Sequence, residues 1–96
     1  MYIQRISGLI PANKQLEFEQ TYRFVVTQLP ENCSAVPIAK DAIHDCVYHI
    51  TFQSESLQIL KSFTSTPIFT MLIGAFQTLG KLCENKQGKW FSIQPP

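Results

Sequence analysis

The 96 residues suit one domain, and an apolar content of 45% is ordinary for a soluble protein. Eight basic residues against seven acidic ones give a formal charge of +1, and no basic stripe suggests a nucleic-acid partner. No apolar run approaches the roughly 20 residues of a membrane span, and no basic-then-apolar leader precedes the first strand. The expectation is therefore no membrane partner and no nucleic-acid partner. Cys33, Cys46 and Cys83 are widely spaced and odd in number, which argues against a disulfide framework and for a reducing, cytoplasmic setting.

In chain order, Tyr2 to Ile10 reads as a first strand, β-branched and aromatic, closed by Gly8 and Pro11. Asn13 is placed to cap a helix over Lys14 to Leu29, whose stripe is Phe18, Tyr22, Val25, Val26 and Leu29. Pro30, Glu31 and Asn32 end it. Ser34 to Lys40 reads as a second strand, at an edge or bulged, because Pro37 cannot donate a ladder hydrogen bond. After a turn at Asp41 to Asp45, Cys46 to Gln53 alternates strictly and predicts a third strand. Ser54 is expected to cap a short helix to Phe63.

Thr66 and Pro67 then form a cap and first helical residue, and Pro67 breaks the path from the preceding helix. Ile68, Phe69, Leu72, Ile73, Phe76, Leu79 and Leu82 follow at helical spacing. Gly74 and Ala75 suggest a close approach of this helix to a sheet. Glu84 to Gly88 reads as a polar turn, and Lys89 to Gln94 as the last strand. The order βαββαβ is the ferredoxin-like signature, an α+β sandwich on a four-stranded antiparallel sheet.

Alternation assigns Tyr48, Ile50, Phe52, Phe91 and Ile93 to the face that meets the helices. The other face carries Arg5, Val47, His49, Thr51 and Trp90, a mixture unsuited to full exposure. The segments Phe52-Gln53-Ser54-Glu55-Ser56-Leu57, Phe63 to Phe69 and Gly74 to Leu79 resemble the antibiotic biosynthesis monooxygenase family. That family belongs to the dimeric α+β barrels. The resemblance covers the whole chain in order and length, and its detailed match is confined to about residues 46–80.

The resemblance implies a homodimer, joined through the open sheet faces into a barrel. It also implies a cofactor-independent monooxygenase acting on a small aromatic or quinol-type molecule in a pocket between sheet and helices. Tyr22, Tyr48, Phe52, Phe69, Phe76 and Trp90 are the candidate substrate-binding residues. His49 is the acid/base candidate, since its ordinary pKa lies near neutrality. Arg5 is the candidate for stabilising an oxyanion. Haem-degrading relatives carry a histidine on the second helix and an asparagine on strand one; residues 55–82 have no histidine, and strand one has Gln4 instead. His44, Asp45, Cys46 and His49 mix a turn with both strand faces and do not form a metal set, so no metal or cofactor is expected. The alternative reading is a non-catalytic dimeric module that binds a small hydrophobic ligand.

Overall fold

The computed structural model describes residues 1–89. Its strands are β1 (Tyr2–Leu9), β2 (Cys33–Ala35), β3 (Ala39–Lys40), β4 (Val47–Ser54) and β5 (Lys81–Lys89). Its α-helices are α1 (Gln15–Thr27), α2 (Leu57–Thr64) and α3 (Pro67–Leu79), with a 3-10 turn at Ala12–Lys14 before α1. The sheet runs β2-β4-β1-β5, with β3 also paired to β4. Every pairing is antiparallel. Since β2 and β3 lie along the same neighbour, they act as one edge strand, and the ferredoxin-like order results. Pro37 falls between them, at the position where the expected strand is interrupted.

The helix-facing side of the sheet is the core. Ile6, Ile10, Tyr48, Ile50 and Phe52 from the sheet meet Phe18 and Val25 from α1, Leu60 and Phe63 from α2, and Phe69, Leu72 and Phe76 from α3. Helix α3 starts as its sequence requires: Thr66 Oγ1 accepts from the N–H of Phe69, and Pro67 opens the first turn. The same Thr66-Pro67 step bends α3 by 59° from α2. No single helix in the described residues is long and apolar enough to cross a membrane.

Several expectations change. The cap of α2 is Ser56, whose hydroxyl accepts from the Ile59 N–H; Ser54 Oγ instead accepts from Ser56 N–H and donates to the Asn32 carbonyl. Asn13 sits inside the 3-10 turn, and α1 has no side-chain cap. The expected turn at Glu84 to Gly88 is strand, because β5 pairs with β1 along its full length. Leu82 therefore belongs to β5, not to the α3 stripe. A register shift between Ser7 and Gly8 places Leu82 opposite Gly8 and Glu84 opposite Ser7, with Cys83 as the extra residue. Of the strand expected at Lys89 to Gln94, only Lys89 lies within the described residues; Trp90, Phe91 and Ile93 lie outside them.

The glycines also differ from expectation. A Cβ at Gly74 would meet nothing within 4 Å, so Gly74 does not serve a close helix–sheet approach. Gly8 does: a Cβ there would lie 2.4 Å from the Phe76 ring and 2.6 Å from the Lys81 carbonyl. A glycine in β1 is what lets α3 and β5 close on the sheet at that point.

Candidate functional site

On the helix side the aromatic side chains belong to one core cluster and pack as two ring groups, one around Phe18 and one around Phe52. Phe18 lies 5.1 Å from Tyr48 and 4.5 Å from Phe76, centroid to centroid. Phe52 lies 5.1 Å from Phe63 and 6.4 Å from Phe69, and Tyr22 lies 6.5 Å from Phe52. Tyr48, Phe52, Phe69 and Phe76 are thus packed ring against ring in the core, none more than 4% exposed. Tyr22 stands at the margin of this cluster. Trp90 lies outside the described residues.

Tyr22 borders a mainly apolar open groove, a shallow cavity of about 570 Å³ between α1 and the edge of the sheet. Arg23 and Val26 line it from α1, and Val36, Pro37 and Ile38 line it from the edge segment. Its size falls in the range of small-molecule sites. The Tyr22 hydroxyl donates to the Val36 carbonyl at 3.4 Å, a long bond that leaves it open to a better partner. Burial pushes its pKa above the usual tyrosine value, so it remains a neutral O–H donor.

A second polar group fixes α1 against the sheet. The Tyr48 hydroxyl donates to Glu19. Burial first, then the Glu19 carboxylate, raises the Tyr48 pKa well above its ordinary value. Lys40 Nζ stands 5.4 Å from the centroid of the Tyr48 ring and donates to Gln15 Oε1 at 2.9 Å. Gln15 Nε2 in turn donates to the Ile10 carbonyl at 3.1 Å. These contacts join α1 to β3 and β4 beside the core.

The open face holds the other candidates. Arg5 pairs with Thr51, and Ser7 with His49, so Arg5 and His49 occupy neighbouring rows of one face. His49 Nε2 is 3.6 Å from Asp41 Oδ2. Asp41 Oδ1 accepts from the N–H groups of Ile43 at 2.9 Å and His44 at 3.1 Å. Those two backbone bonds, with His49 as a smaller cause, hold the Asp41 carboxyl below its usual range. A shallow hollow of about 430 Å³ lies on this face, lined by Ile3, Arg5, Val36, Thr51 and Lys89. His44 is exposed in the loop before β4.

The candidate residues therefore separate into two sets. His49 and Arg5 come together on the open face. Tyr22, Tyr48, Phe52, Phe69 and Phe76 come together on the opposite one, with the sheet between. Among the described residues no group of three His, Cys, Asp or Glu side chains converges as metal ligands.

Two features were not legible as site residues. Arg23, one position after Tyr22, looks in sequence like any solvated helix arginine. The other feature is a cavity of about 690 Å³ where the end of α1 meets the α2–α3 bend. The Pro30 turn and the Thr66-Pro67 break are its only sequence signals.

No family model and no curated protein sequence matches the chain. Solved structures do share its fold. One, from Deinococcus radiodurans and described as a "putative antibiotic biosynthesis monooxygenase", has a TM-score of 0.73 at 17% identity, covering 99% of this chain and 100% of the other. Another, described as an antibiotic biosynthesis monooxygenase, has a TM-score of 0.73 at 15% identity, covering 98% and 100%. A Bacteroides thetaiotaomicron protein of unknown function, described as a possible oxidoreductase, has a TM-score of 0.76 at 11% identity, covering 93% and 96%. The chain thus has the fold of these proteins from end to end.

Proposed function

We propose that this chain is a cofactor-independent monooxygenase for a small aromatic or quinol-type molecule, bound in the sheet–helix cavity beside Tyr22 and working as a homodimer. The observation that carries the reading is that cavity, set in a fold shared over its full length with proteins described as antibiotic biosynthesis monooxygenases. Fold alone does not give an activity, so the cavity's chemistry has to support it.

A polycyclic phenol gives up its proton to solvent water, and the resulting anion donates one electron to O2. The carbon radical and superoxide combine into a substrate hydroperoxide. Loss of water leaves a carbonyl where the ring carried CH2, so CH2 and O2 become C=O and H2O. Arg23 supplies a cation that favours the anion. Tyr22 supplies a neutral donor for a ring oxygen. Val26, Val36 and Ile38 give the apolar wall that a flat ring needs.

In this reading His49 and Arg5 serve the subunit contact. Ile3, Leu9 and Val47 put apolar surface on the open face, and Leu9 is 42% exposed. Arg5 and Lys86 lie opposite each other on the β1–β5 half, with Glu84 3.9 Å from Lys86, and Asp41 lies beside His49 on the other half. A face with both signs suits a two-fold contact between identical chains.

The test is oxygen uptake with a dihydroxyanthrone, followed alongside the absorbance of the quinone product. Uptake above buffer, falling about tenfold or more in Arg23→Gln, is the expected result. Uptake equal to buffer would contradict it. A second reading, a non-catalytic binding module, draws on one observation: the His49–Asp41 pair and Arg5 stand across the sheet from the cavity, whose lining has no carboxylate or histidine. Saturable binding of the phenol without oxygen uptake selects that reading.

A further inference from the structure

We infer that the cavity where α1 ends against the α2–α3 bend is a second binding site, for an apolar molecule carrying an ammonium or similar cationic head. It shares no lining residue with the cavity beside Tyr22. At about 690 Å³ it is the larger of the two. Ile59, Phe63 and Ile68 form its apolar floor, and Gln28 and Ser62 stand on its rim. The charge of the head group follows from Glu31, the one charged residue lining the cavity.

The carboxylate is carried on a fixed turn. Pro30 removes backbone freedom before it. The Cys33 N–H donates to the Pro30 carbonyl at 3.1 Å, closing the turn around Glu31 and Asn32. Asn32 adopts a φ of 67°, a left-handed value that asparagine tolerates better than most residues. Ser54 Oγ donates to the Asn32 carbonyl at 2.7 Å and ties the turn to the end of β4. A carboxylate on a braced turn beside an apolar floor gives one polar contact and one buried body, which is how small ligands are oriented. Lys61 on α2 lines an adjoining hollow that shares Gln58 and Ser62 with this cavity, but it is not itself one of the cavity's lining residues.

The probe is 2-naphthylmethylammonium, titrated into uniformly 15N-labelled protein and read by amide chemical shifts. Its carboxylate counterpart, 2-naphthoate, is titrated in parallel. Saturable shifts at Glu31, Ile59, Thr66 and Ile68 are expected with the ammonium. Glu31→Gln should weaken it about fivefold, the scale of one exposed charge pair. Ser62→Trp, an exposed substitution at the rim, should abolish the shifts while the rest of the spectrum is retained. Three results overturn the proposal: no saturable shifts with the ammonium, equal binding of the naphthoate, or shifts confined to Tyr22, Arg23 and Ile38.

Discussion

The two faces of β4 are built differently. Tyr48, Ile50 and Phe52 point into the helices and are 1% exposed or less. Val47, His49 and Thr51, one residue out of step, are half-buried and have no helix above them. The first face is completed within one chain: its side chains fill one another's gaps, and its buried polar atoms are all hydrogen-bonded among the described residues. The second face mixes apolar surface, a histidine–aspartate pair, and Arg5 opposite a Lys86 that stands 3.9 Å from Glu84. The contrast teaches that the aromatic content of this chain is mostly structural. Ligand-sized space opens where the core ends, beside Tyr22 and at the helix bend.

The comparison breaks most readily at its centre. Phe76→Ala should cost about 3–5 kcal/mol in urea unfolding, because Phe76 packs on Phe18 and over Gly8. A loss under about 1 kcal/mol would show that the rings enclose adaptable space. Next comes Tyr48→Phe, expected to cost about 1–2 kcal/mol at neutral pH by leaving Glu19 without its donor.

Tyr48 also makes a pH prediction. Its folded pKa is raised above its unfolded value of about 10, so its contribution is fully present below that pH. The contribution falls as pH rises beyond it, as the unfolded chain ionises first. Tyr48→Phe should therefore flatten the alkaline limb of the stability profile, and an unchanged limb would place the sensitivity elsewhere.

Gly74→Ala should stabilise by about 0.5–1 kcal/mol, since the helix gains propensity and the new methyl meets no neighbour. A destabilisation in thermal unfolding would show that something approaches α3 there. The smallest expected effect on monomer stability is that of His49→Gln, because the pair it breaks is solvent-exposed. It should weaken the dimer and leave turnover in place. Lost turnover with an intact dimer would return His49 to the acid/base role.

Much of the fold was legible in the sequence, for physical reasons. Strand β4 alternates strictly, and α1 and α3 carry apolar stripes at helical spacing, so β4 and α1 could be placed to within two residues at each end. The Thr66-Pro67 start of α3 was legible because cap and first residue are both chemically marked. Strand β5 was not legible. Lys81 to Lys89 has little apolar alternation, and its strand character comes from pairing with β1, a tertiary cause that local propensity does not contain. The register shift at Cys83 hid it further.

For the site, sequence showed that Tyr22 lies on a buried stripe and that His49 and Tyr48 take opposite faces. It could not show that four of the five aromatic candidates on the helix side would be closed off by ring packing in the core. Nor could it separate Arg23 from the other exposed arginines and lysines, since only the nearness of the Pro37 segment gives it a cavity to line.

The central proposal is a division of labour, in which the helix side is complete within the chain and a second copy completes the open face. Sedimentation velocity of the wild-type chain beside Val47→Lys tests it most directly. The account predicts a wild-type species of twice the 10.9 kDa chain mass, and a Val47→Lys monomer with a nearly unchanged thermal midpoint. A wild-type monomer, or a dimer indifferent to lysine at position 47, would contradict it.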